Sequence, residues 1–305
     1  MSDSEITRRA AIFIGAVAFC FDTEVLRAAG GSGAASGPDP RPFDTILAEL
    51  SSNSADPRAL KGIQEANAHE FVFGDVRESG FSQPNRVKGR SNREISARAR
   101  SLIISSEVSN RRVYEQKGYD RPTWPGGKSG VTIGFGYDLG QASTDDFRAD
   151  WQGYLSEDDI ASLVRACGKK ASAAAAMVGS FAHISVEWDV GRNQFSSKLL
   201  PYFTRETEFA FKNSVLLSPD SFGALLDLVY NRGSASYYNP RTMDSDHPDD
   251  PRREIRNIKS AMASKSFDVI PNELRSMKRL WSNSPNLRGV VDRREAEAKL
   301  FELGL

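Results

Sequence analysis

Cysteine is scarce in this chain of 305 residues, with only Cys20 and Cys167 present, and a disulfide framework is thereby excluded. Cys167 repeats the apolar stripe of Ile160, Leu163 and Val164 at helical spacing, which makes it a core thiol rather than a nucleophile. Histidine occurs three times, never at a metal-ligand spacing, and neither C-x-x-C nor H-E-x-x-H occurs. A zinc hydrolase is therefore not expected, and no metal or other cofactor is implied. The G-x-S-x-G elbow of serine hydrolases is also missing. Gly126, Gly127, Lys128 and Ser129 mimic the tail of a phosphate-binding loop, but its first glycine would fall at Pro122 and a strand pattern follows where a helix is required. Excess charge of either sign is lacking too: 40 basic residues balance 40 acidic ones, so no long-range field draws the protein to nucleic acid or an anionic membrane.

Long apolar runs are few. Arg8 and Arg9 precede twelve apolar or small residues from Ala10 to Phe21, the length of a signal-peptide core and too short to span a bilayer. Residues 1–29 are expected to be an export signal or short anchor, and a periplasmic or secreted protein follows. The paired arginines resemble a twin-arginine signal, although Asp22 and Glu24 follow directly and no A-x-A site appears; a buried first helix would give the same string. From Gly30 to Pro42 the composition of Gly, Ser, Ala and Pro reads as linker. Residues 43–94 hold a helix-like patch at Phe43, Ile46 and Leu47, then a polar stretch that reads as loop, so 30–94 is taken as linker and poorly ordered region.

From residue 95 to 305 the pattern is helical. Ser96 to Glu107 reads as a helix with Leu102 and Ile103 inward. Ser156 with Asp159 caps a helix, and Phe222, Leu225, Leu226, Val229 and Tyr230 form a core face that Gly233 closes. Leu274, Met277, Leu280 and Trp281 make another stripe, and Asp292 with Glu295 is expected to cap a last helix. Val131 to Asp138 departs from this. Apolar Val131, Ile133, Phe135 and Tyr137 alternate with Thr132, Gly134, Gly136 and Asp138, which predicts a strand. Its glycines suit either a close approach to the backbone or a half-buried hairpin. The acidic run Asp244, Asp246, Asp249 and Asp250 lacks a calcium loop's glycine and closing glutamate, and reads as a solvated surface loop.

Carboxylates remain, and glycoside hydrolysis is the chemistry that needs a pair of them without a cofactor. Glu107 falls in a last helical turn, where its charge opposes the helix dipole and wants a cation or a purpose, the plainer reading being an exposed glutamate. Ser106 to Ser109, then Thr132-Ile-Gly-Phe-Gly-Tyr-Asp138, then Leu225 to Gly233 (LLDLVYNRG), then Leu287 to Phe301 (LRGVVDRREAEAKLF) stand in the order seen in phage-type lysozymes. The chain resembles that muramidase superfamily over about two thirds of its length. The order glutamate, threonine, aspartate is similar to the pesticin-like branch.

The resemblance implies an α+β, mainly α, lysozyme-like fold: a helical lobe and one small antiparallel sheet forming a cleft. It implies cleavage of peptidoglycan, with Glu107 as proton donor, Asp138 as ionised carboxylate and Thr132 holding a water. Arg293 is the cation implied for Glu107, and Tyr137, Trp124 and Asn231 are supporting or substrate-binding candidates, with Tyr114 a further aromatic. Asp120 and Glu115 are reserves for the second carboxylate. The expected partner is the glycan strand and the expected state a monomer. A non-catalytic glycan-binding protein of the same fold is the alternative, as are a bacteriocin, effector or phage lysis protein carrying the same domain.

Overall fold

Serines open four of the helices in the computed structural model. Ser96, Ser143, Ser156 and Ser218 are extended residues whose hydroxyls accept hydrogen bonds from the amides of Ala99, Asp146, Asp159 and Ser221. Each satisfies a donor that the first helical turn leaves orphaned. The structure describes residues 38–52, 89–127, 129–234, 250–281 and 288–305, all within one unit, Ala35–Leu305. The expected export segment, most of the glycine-rich linker and three aspartates of the acidic run lie outside the described residues.

In chain order the elements are α1 (Phe43–Ser52), α2 (Ala97–Val108), α3 (Arg111–Gln116), β1 (Thr132–Ile133), β2 (Tyr137–Asp138), α4 (Thr144–Trp151), α5 (Glu157–Leu163), α6 (Ala171–Ala175), α7 (Trp188–Gln194), α8 (Leu200–Ala210), α9 (Pro219–Arg232), α10 (Arg253–Ser264), α11 (Ile270–Ser276) and α12 (Arg288–Leu303). Among the described residues the fold is mainly helical with one two-stranded antiparallel sheet, as expected for an α+β, mainly α, chain. Among the described residues no helix is long and apolar enough to cross a membrane.

α9 is the central element. Eleven of its residues are buried, and α2, α8 and α12 pack around it. The apolar face at Phe222, Leu225, Leu226, Val229 and Tyr230 explains that placement, and Gly233 at φ 71° ends the helix with its amide on Val229 O. At Gly223 a Cβ would sit 2.2 Å from the Cβ of Ala99. A bare backbone there lets α2 lie directly against α9.

The structure corrects four expectations. First, residues 131–138 do not form a single strand. They form a hairpin in which Thr132 pairs with Asp138 and Ile133 with Tyr137. Gly134 (φ 54°) and Gly136 (φ 88°) carry the reversal in a conformation that side-chain-bearing residues resist. A Cβ at Gly134 would also meet Trp151 at 2.9 Å, so what approaches the glycine is the core.

Second, the domain starts well before residue 95. Phe43, Ile46 and Leu50 of α1 are buried in the main core, and α1 packs on α12 and α2. Arg41 pairs with Asp292 at 2.6 Å, Lys299 donates to Asp39 O, and Arg93 donates to the carbonyls of Ser214 and Leu217. Third, Asp292 does not cap the last helix, because α12 is already helical at Arg288. Asp292 instead anchors the segment before α1. Fourth, Asp250 is no surface residue. It is fully buried, paired with Arg256 and accepting from the Arg252 amide.

Candidate active site

Ala99, Ile103 and Glu107 recur every four residues and so share one face of α2. The same spacing puts Gly223 and Asp227 on one face of α9. From the close contact of Ala99 with Gly223, both helices lead to a buried charge network. Glu107, only 4% exposed, accepts a hydrogen bond of 3.0 Å from Nη1 of Arg293 on α12. The other two nitrogens of that guanidinium take both oxygens of Asp227, Nε to Oδ2 and Nη2 to Oδ1, each at 2.8 Å. This is the planar two-pronged pairing for which arginine is shaped.

Glu297 and Arg294, both with no exposed surface, continue the network. Nη2 of Arg294 lies 2.6 Å from Oε1 of Glu297 and donates to Oδ1 of Asn231 at 3.0 Å. Burial disfavours charge on Arg293, but Asp227 and Glu107 outweigh it and hold the guanidinium more firmly protonated than usual. Burial likewise pushes the Asp227 carboxyl up, and Arg293 more than reverses this, so Asp227 is ionised below the usual carboxylate range. Glu297 goes the other way. Burial raises its carboxyl well above the ordinary value, and the neighbouring Asp227 adds to the shift.

The second pole is the hairpin. Thr132 and Asp138 are directly opposed across the two strands, and opposed residues project to the same side of a sheet. They share a face for that reason, not through spacing along one strand. Oδ1 of Asp138 accepts from the amides of Gly130 at 3.0 Å and Gly140 at 2.7 Å. A Cβ on Gly130 would come within 2.3 Å of that oxygen, and a Cβ on Gly140 within 3.0 Å. Two glycines thus form a backbone cradle for the carboxylate. Thr132 is 3% exposed, with its hydroxyl in a long 3.5 Å contact to Gly130 O. The hairpin is tied to α9 by the Tyr230 hydroxyl, which donates to Phe135 O at 2.7 Å.

Glu107 is thus joined to Arg293, and Thr132 to Asp138. The aromatic candidates divide. Tyr137 is a core residue, packed against Phe147 and Trp151 with its hydroxyl on Asp150. Tyr114 is fully buried with its hydroxyl on Val186 O. Both therefore support the fold and present no stacking platform. Trp124 is exposed, its indole N–H donating to Ser129 O. Asn231 is drawn into the ion network by Arg294. The reserve carboxylates belong to other pairs, Glu115 to Arg111 and Asp120 to Arg121.

Sequence reasoning missed Asp227 and Glu297. Their signal was a carboxylate within a stretch of otherwise buried helix, as in Leu-Leu-Asp-Leu-Val, where charge is retained only with a partner. Ser109, two residues beyond Glu107, has φ 58° and ψ −82°, a strained backbone for a non-glycine residue. It lets α2 stop and α3 begin almost at once. Among the described residues no three His, Cys, Asp or Glu side chains gather as metal ligands. No known family model matches the chain, and no curated protein is similar to it in sequence.

Proposed function

We propose that the chain is a lysozyme-like muramidase that hydrolyses the β-1,4 bond between N-acetylmuramic acid and N-acetylglucosamine in peptidoglycan. The observation that carries this reading is the setting of Glu107. It is a buried carboxyl at a helix end, oriented by an arginine that is itself clamped, in a chain whose hairpin presents a threonine and an aspartate on one face.

A glycosidic oxygen leaves only if protonated as its bond to C1 breaks, and Glu107 supplies that proton. Asp138 remains the anion. In an inverting course it takes a proton from a water positioned by Thr132 while the water oxygen bonds to C1, and Glu107 ends as the carboxylate. The hydroxyl opposite Asp138 favours this course, since a carboxylate that attacked C1 itself would have less use for it. Such a protein acts in the periplasm or outside the cell, where its substrate lies.

Glu107→Gln tests the reading. The amide keeps the shape and can still accept from Arg293, but it has no proton to give. Release of soluble muropeptides from purified sacculi is expected to fall at least about a hundredfold with the thermal midpoint little changed. Activity within about threefold of wild type would remove Glu107 from the mechanism.

A further inference from the structure

Arg293 poses a problem for the acid it contacts. A full positive charge stands 3.0 Å from Glu107, beside a group that has to hold a proton and then give it up. We propose that Asp227 is the positioning residue that resolves this, clamping Arg293 in a fixed plane and compensating its charge so that Glu107 stays oriented yet able to hold a proton. The inference rests on the muramidase reading of Glu107.

The geometry supports both roles. Asp227 takes two of the three guanidinium nitrogens at 2.8 Å each, leaving Nη1 for Glu107. Asp227 is fully buried, so water does not dilute its field at Arg293. The other charged groups around the pair are Glu297, 4.0 Å from Arg293 Nε, and Arg294, which is paired with Glu297. Arg232, buried at the end of α9, acts electrostatically on both Glu297 and Arg294. The charges on the remaining neighbours are engaged elsewhere. Asp39, Arg41 and Asp292 form a network of their own between the α1 lead-in and α12, and Arg111 and Glu115 of α3 pair at the surface.

The test reads the pH profile of kcat on purified peptidoglycan, which a merely structural role would not move. All variants carry Glu297→Gln, so that no second carboxyl can take over the charge of Arg293. Against Glu297→Gln alone, adding Asp227→Asn exposes Glu107 to an uncompensated guanidinium. The alkaline limb of the profile should then move down by about one pH unit, with activity recovering toward acid pH. Adding Asp227→Asn together with Arg293→Gln removes both charges, leaves a neutral pair that folds more readily than a lone buried charge, and should move the limb above its starting point. Uniform loss of activity with an unmoved limb in the variant lacking both charges would overturn the proposal. The reading beneath it fails separately: if Glu107→Gln in the otherwise native chain stays active, Glu107 is not the acid.

Discussion

Asp138 has two tasks that substitution can separate. Its charge is the proposed anion of the reaction, while its Oδ1 accepts from the amides of Gly130 and Gly140 and caps the single turn Leu139–Gln141. Asp138→Ala removes the acceptor and leaves two amides in a cradle too tight for a Cβ. A hydrogen bond to a charged group contributes about 1.5 to 3 kcal/mol, and partial access of water to this half-buried site reduces the loss, giving an expected cost of about 3 kcal/mol. Asp138→Asn keeps an oxygen at the same position and should cost about 1 kcal/mol. Activity should follow the opposite logic, falling at least about a hundredfold in both because neither has an anion. Urea denaturation with turnover on soluble glycan measures both quantities. An Asp138→Ala protein as stable as wild type would show that the cradle contributes nothing, and an active Asp138→Asn would remove the charge from the mechanism.

Two further expectations concern the body of the fold. Ile46→Ala on α1 should cost about 3 kcal/mol, since the side chain is fully buried and truncation leaves a cavity; an unchanged urea midpoint would place α1 outside the cooperative unit. Glu297 has a raised carboxyl pKa, so the folded state keeps a proton that the unfolded chain releases, and the stability this confers is present at acid pH and lost as pH rises toward the folded value. Glu297→Gln, always neutral, should therefore match wild type at acid pH and gain on it by about 1.4 kcal/mol per pH unit above the ordinary carboxylate range. Parallel stability curves would show that Glu297 is ionised in the fold.

Local chemistry was the most legible part of the sequence. Ser96 and Ser156 read as helix starts, the stripe through Tyr230 read as a core helix, and each is so in the structure, because caps and periodicity are written within a few residues. The hairpin was half legible. Strict alternation from Val131 to Asp138 is blind to a reversal, and the signal for it lay in the two glycines that here take positive φ. α1 shows why the domain boundary was misplaced. Its apolar patch was visible, but the surface it packs on includes α12, where Asp292 pairs with Arg41 from 251 positions away, and no window along the chain contains both. Of the site, Glu107 and Arg293 were reached through resemblance. Asp227 lies within the α9 motif but carries no local signal of a role, since the partner that makes its burial tolerable, Arg293, comes from α12.

The proposed activity is cleavage of peptidoglycan on the reducing side of N-acetylmuramic acid with Glu107 as the acid. Incubation of the purified protein with sacculi, followed by borohydride reduction and mass analysis of the soluble fragments, tests it most directly. Fragments ending in reduced muramic acid are expected, and none above background from Glu107→Gln. Fragments ending in reduced N-acetylglucosamine or in an anhydro sugar, or sacculi left intact by the wild-type protein, would contradict it.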